Sequence, residues 1–249
     1  MGVSAGPDVI DNGLVLALDA ADTNSYPGSG TTWYDLSGKG RDSTIEGATW
    51  NASGYFSFDG SGEKDGDPTG NYITLNTSST TTDPSSKPNG VTYQWWMKID
   101  ADQPDGHAIL YGSGTINHLE WKGTSTGGNF RTEAVRQNGY SFGGPSVSGG
   151  LDSSLWHNIS LVFANNESGR PVRWYKNGTL FHTGSMTGGT YPDTEYFVPN
   201  AFGRATGVPE FQYSQSFYGR MSQFLVWDKA LTASEIQQNF NATRGRFGI

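Results

Sequence analysis

A chain of 249 residues can hold one large β-sandwich or two smaller domains. Its 35 glycines are about twice the usual ~7% share, and with 11 prolines they require many turns and hence many short strands. A net charge of −8 excludes long-range attraction to nucleic acid or anionic membrane, and the lack of cysteine excludes disulfides and thiolate chemistry.

Residues 1–12 read as a loose arm. They carry neither a basic region nor an apolar stretch of signal-peptide length, so synthesis in a cytoplasm without a signal is expected. No run approaches the ~18 apolar residues of a membrane span. Leu14 to Leu18 is a short apolar run of the kind a buried strand shows. Residues 19–54 read as a long loop region, with Trp33, Tyr34 and Trp50 packing it down. Tyr55 to Phe58 and Tyr72 to Leu75 are predicted strands, separated by a glycine- and acid-rich excursion from Asp59 to Pro68.

The clearest strand signal is Val91 to Ile99. Val91, Tyr93, Trp95, Met97 and Ile99 alternate with Thr92, Gln94, Trp96 and Lys98, so one face belongs to a core. Further strands are predicted at Ala108–Tyr111, His118–Lys122, Phe130–Arg136 and Trp156–Phe163. Val172 to Phe181 reads as a hairpin whose Asn177-Gly178 pair supplies a type I′ turn. Strands near Ala201–Arg204 and at Tyr218–Trp227 follow. About a dozen short strands argue for a sandwich or barrel. The last strand is apolar on both sides, with Met221, Leu225 and Trp227 on one and Tyr218, Phe224 and Val226 on the other.

A single helix is well marked, near 232–241. Thr232 and Glu235 form a capping box, and Leu231 and Ile236 a hydrophobic staple. Ile236 and Phe240, four apart, share the face that docks on a sheet.

The run from Gly219 through Met221, Phe224, Trp227, Leu231 and Thr232 to Glu235-Ile236 resembles the closing motif of laminin-G-like, concanavalin A-type jelly-roll domains. Gly13 to Ala21 and Ser25 to Gly40 resemble the opening of such domains in structural proteins of tailed bacteriophages. The ending Phe240 to Ile249 is similar to the tail of the same phage set, and Tyr55 to Gly60 and Trp174 to Gly178 add to the likeness.

The resemblance implies an all-β antiparallel sandwich of jelly-roll type in one domain, 13–249, with a short C-terminal helix. It also implies a non-enzymatic virion structural protein, most directly a capsid or other surface decoration. The partners implied are other virion proteins in an oligomeric arrangement, and host-surface glycans; neither nucleic acid nor membrane insertion is expected. A carbohydrate-binding adhesin of the tail or neck is the alternative, and a glycoside hydrolase the third. Against the family, the Asp59–Pro68 excursion reads as an insertion.

Glycoside hydrolysis needs two carboxyl groups roughly 5–9.5 Å apart. Among eight glutamates the nearest pair, Glu120 and Glu133, is thirteen residues apart, so only cross-strand pairing could join them. His107, His118, His157 and His182 lack zinc-ligand spacing, and His157 reads as a hydrogen-bonded sheet residue. The family's frequent use of calcium makes a structural ion the one cofactor to consider. Candidate ligands are Asp19, Asp22 and Asn24 after the first strand, and Asp59, Asp65 and Asp67 in the excursion. Sugar binding would use aromatic platforms near turns, chiefly Trp33, Tyr34, Tyr111, Trp121, Tyr140 and Tyr191, with Tyr196 and Tyr213 also available. Arg244 and Arg246 after the helix either satisfy its last carbonyls or anchor the tail on an acidic neighbour.

Overall fold

The computed structural model describes residues 8–60, 70–77, 89–113, 116–134, 146–185, 198–203 and 215–249. Two sheets face each other. The first holds β1 (Leu14–Asp19), β4 (Thr49–Asn51), β5 (Tyr55–Asp59), β7 (Val91–Ile99), β12 (His157–Phe163), β13 (Pro171–Lys176), β14 (Thr179–Ser185) and β17 (Tyr218–Trp227). The second holds β2 (Thr32–Trp33), β3 (Ser43–Glu46), β6 (Tyr72–Thr74), β8 (Gln103–Ser113), β9 (Ile116–Thr124), β10 (Gly127–Ala134), β11 (Ser146–Ser148), β15 (Val198–Phe202) and β16 (Gln215–Ser216). Strand order is β14-β13-β12-β7-β17-β5-β4 in the first, with β1 also on β17, and β11-β10-β9-β8-β15-β6-β3-β2 in the second. Among the described strands, pairing is antiparallel except for β16 on β8; an isolated parallel bridge joins Gly47 and Tyr72.

The alternation in β7 sorts its side chains as the sequence predicts. Val91, Tyr93, Trp95, Met97 and Ile99 are buried between the sheets with Ile159, Leu161 and Phe163 of β12. Burial of this kind contributes about 1.5–3 kcal/mol per large side chain. The opposite face of β7 is covered as well. Helix α1 (Ala233–Thr243) and the turn of 3-10 helix after it (Arg244–Phe247) lie there, so Trp96 is fully buried too. Phe247 stacks on the Trp96 ring at 3.9 Å between centroids, and Phe240 at 5.8 Å.

The start of α1 is the predicted one. Glu235 N–H donates to Thr232 Oγ1 while Glu235 Oε2 accepts from Thr232 N–H. Ile236 and Leu231 share a small outer cluster with Val162, Leu225 and Trp227. The hairpin turn is also as predicted, with Asn177 at φ 50° and Gly178 at φ 76°.

Three expectations change. Met221 joins Phe224 and Val226 in the inner core instead of siding with Leu225 and Trp227. A β-bulge between Met221 and Gln223 shifts the strand's phase by one residue there. Second, residues 19–54 contain three short strands, because β3 pairs with β6, β2 with β3, and β4 with β5. Third, residues 8–12 are strapped down. Ile10 N–H donates to Asn239 Oδ1 at 2.8 Å, Trp227 Nε1–H to Ile10 O at 2.8 Å, and Gln238 Nε2–H to Asp8 O at 2.8 Å.

Candidate functional site

One side of β17 is forked. β5 pairs with its first part (Tyr218–Met221) and β1 with its second (Gln223–Trp227), so the two strands meet end to end at Ser222. There Ala20 N–H donates to Ser222 O at 2.8 Å and Ser222 Oγ–H to Gly54 O at 2.6 Å. The segments that leave the fork, 20–28 after β1 and 51–54 between β4 and β5, enclose a groove of about 260 Å³. Its floor touches the β17 bulge through hydrogen bonds; its walls are loop, with Trp50 of β4 on one side.

Trp50, half-buried, gives the groove its aromatic side, and its Nε1–H donates to Ala20 O at 2.9 Å, which fixes the ring's tilt. Tyr26 leans on Trp50 at 5.5 Å between centroids and on Phe56 at 5.1 Å, with its hydroxyl donating to Gly30 O. Burial raises the Tyr26 pKa, so it stays a neutral donor. Thr23 and Ser53 bring hydroxyls to the lining, and Pro27 and Ala52 apolar surface. Gly54 lies at φ +80°, and a Cβ there would overlap that of Ala21, so the two walls touch only because position 54 has no side chain.

The C-terminal tail locks this corner. Arg246 Nη1–H donates to both carboxylate oxygens of Asp19 at 2.8 Å, and Nη2–H to Ser222 Oγ at 3.2 Å. Gln223 Nε2–H and Ala21 N–H complete the shell of Asp19 at 2.9 Å each. Arg246 therefore anchors the tail on an acidic neighbour. Arg246→Ala should lower the unfolding free energy by about 1 kcal/mol, the value of a well-formed partly exposed pair. It should also move the amide resonances of Ala20, Ala21 and Gly54; a urea midpoint and a spectrum identical to wild type would contradict the lock.

Several predicted site residues fall elsewhere. Trp33 and Trp121 are wholly buried, so neither is a surface platform. Trp33 packs on Phe56 at 4.9 Å, and Trp121 on Phe130 at 4.9 Å, filling space left because Gly128 has no Cβ. Tyr34 is 44% exposed but does not line the groove. Tyr111 lies in β8, where only the backbone is described; Tyr140, Tyr191, Tyr196, Tyr213, Asp65 and Asp67 lie outside the described residues.

The described members of the calcium set, Asp19, Asp22, Asn24 and Asp59, do not converge. The oxygens of Asp19 face a guanidinium, which takes the place a cation would need. Asp22 Oδ1 accepts from Asn24 N–H and Nδ2–H, which closes a turn, and Asp59 is exposed at the end of β5. Among the described residues no three of His, Asp and Glu come together around an ion. His157 is a sheet residue, as expected. Its Nε2 hydrogen-bonds the Asp152 carbonyl at 3.0 Å, and burial pushes its imidazole below the usual histidine range.

The sequence of residues 67–237 matches the family described as the concanavalin A-like lectin/glucanases superfamily. The chain belongs to that superfamily. The groove, built from residues 20–28 and 50–54, lies before the matched span. No curated protein matches the sequence. Among solved structures, Trypanosoma rangeli sialidase is similar at TM-score 0.59 and 17% identity, over 94% of this chain and 33% of that one. A structure of botulinum neurotoxin type C, whose cell entry depends on interaction with two ganglioside molecules, is similar at 0.59 and 14%, over 94% and 52%. The binding domain of botulinum neurotoxin DC, in complex with rat synaptotagmin II, gives 0.60 and 15% over the same shares. This chain thus spans a third to a half of those structures, and at such identities they share the superfamily's fold with it.

The groove was hard to read from sequence. Trp50 stood out only as a loop aromatic, and nothing local tells that Ala20 and Gly54 become neighbours across 34 positions. The usable signal was the concentration of Trp50, Gly54 and Tyr55 beside a turn.

Proposed function

We propose that this chain is a non-catalytic glycan-binding module displayed on the surface of a tailed-phage particle, and that the Trp50 groove holds the sugar. The observation that carries the binding role is a concave site of mixed polar and apolar lining, with one oriented indole and a few hydroxyl and backbone groups that can fix a small ligand. The superfamily, and the ganglioside named for one structural neighbour, support a glycan as ligand. The described lining offers no carboxylate, so the groove can hold a sugar without protonating a glycosidic oxygen. The virion setting is supported by the likeness of the Gly13–Gly40 and Phe240–Ile249 segments to phage structural proteins, with other virion proteins as neighbours.

On a glycan array the protein should retain a selective subset, and the retained glycans should keep their mass. Retention of none would end the glycan-binding role. Antibody labelling of intact particles, seen by electron microscopy, tests the virion setting; unlabelled particles would contradict it.

The alternative to a non-catalytic module is a hydrolase, and what supports it is backbone register alone. Across β9 and β10, Glu120 pairs with Arg131 and His118 with Glu133. Position 133 is therefore diagonal to 120 across the two strands, at a backbone separation of roughly 7–8 Å. A shortened product, lost in Glu120→Gln, would establish that role; an unchanged glycan would remove it.

A further inference from the structure

Resting on the glycan-binding role above, we infer that the Trp50 groove selects a single neutral pyranose and rejects carboxylated sugars such as sialic and uronic acids. The structural neighbours include a sialidase and a toxin tied to gangliosides, so an acidic sugar would be the natural guess. The groove argues the other way.

Size comes first. A volume of about 260 Å³ falls just below the ~300–1,000 Å³ of drug-sized pockets, which is room for one sugar ring against Trp50. Chemistry comes next. None of the described lining residues carries a charge; the polar groups are the Thr23 and Ser53 hydroxyls, the Tyr26 hydroxyl, whose proton goes to Gly30 O, and main-chain atoms. These match the hydroxyls of a neutral pyranose, while Trp50 and Pro27 match its C–H face.

Electrostatics then decides. A carboxylate moved into an apolar site without a counter-ion loses hydration that nothing returns. The cation in the network behind the wall is Arg246, and both oxygens of Asp19 already hold its Nη1. Drawing Arg246 toward a ligand would strip Asp19 of its partner and break the contact with Ser222. A net charge of −8 adds long-range repulsion of any anion.

The test uses the full chain on an array of matched pairs: lactose- and N-acetyllactosamine-terminated glycans beside their sialylated forms, and glucose- beside glucuronate-terminated ones. Neutral members should bind at least tenfold more tightly than their carboxylated partners. Trp50→Ala should lose at least tenfold for the neutral members. Thr23→Lys, on an exposed turn that tolerates a long side chain, should shift preference toward the carboxylated members.

Equal or tighter binding of the carboxylated forms by wild type would overturn the inference while leaving the glycan-binding role intact. So would neutral binding untouched by Trp50→Ala, or a Thr23→Lys protein with unchanged preference. Absence of binding to every glycan would overturn both.

Discussion

Trp96→Ala is expected to lower the unfolding free energy by about 3–5 kcal/mol, the cost of emptying a large aromatic site. Trp96 is on the outer face of β7, yet it is fully buried, because the end of the chain folds over it. Its Nε1–H donates to Thr243 Oγ1 at 2.9 Å, and its ring is stacked near-parallel with Phe247 and Phe240, at 17° and 23°. Removing the indole leaves Thr243 without that donor and takes from both phenylalanines the ring they stack on, with Phe247 keeping only its tilted contact with Trp156 and its cation–π contact with Arg246. The tail that carries Arg246 then loses its seat, so the Asp19 lock should loosen as well. For a chain of this size, a loss of that order lowers the thermal midpoint by roughly 10 °C. Trp96→Phe keeps the stacking and should cost clearly less. A midpoint within a degree or two of wild type for Trp96→Ala would show that the tail does not clasp the sheet.

Gly90→Ala is the second large effect. Gly90 stands just before β7 at φ +85°, a left-handed conformation that costs a residue with a Cβ about 1–2 kcal/mol. Its Cβ would also overlap the Phe163 carbonyl oxygen and reach within 2.9 Å of the Ala230 Cβ. These are backbone and near-backbone atoms of β12's end and the segment leading to α1, tied in place by Ala230 N–H donating to Asn89 O at 2.7 Å. None can swing aside as a long side chain would, so overpacking adds about 1–3 kcal/mol. The two sum to about 2–5 kcal/mol. Gly30→Ala separates them. Gly30 has φ +93° but open space around it, so its alanine should cost only the conformational part. Equal urea midpoints for the two variants would contradict the steric argument at Gly90.

Where one side chain follows another at a fixed period, sequence and structure agree. Val91 to Ile99, the Thr232–Glu235 cap and the Asn177-Gly178 turn are local patterns, set by φ/ψ preferences and alternation. Disagreement begins where a distant segment decides. Trp96 is buried because Phe247, about 150 residues away, returns to it. Met221 changes face because β17 bulges where β1 and β5 meet. Trp33 and Trp121 carry the sequence marks of platforms because aromatic residues near turns serve either purpose; Trp33 is buried against Phe56 of the facing sheet, and Trp121 against Phe130 of the neighbouring strand β10. Asp19 was read as a calcium ligand because its partner, Arg246, is 227 residues away. For the same reason the groove escaped: each wall looks like an ordinary turn, and only the fork on β17 sets them side by side.

A crystal structure of the chain with the neutral glycan it binds most tightly tests the central claim most directly. The sugar should be seen with its ring against the Trp50 indole, between the Tyr26–Gly28 and Ala52–Gly54 segments, and with its hydroxyls in reach of Thr23 or Ser53. A sugar seated instead on the outer face of the second sheet, or on Tyr34, with the Trp50 groove empty, would contradict it.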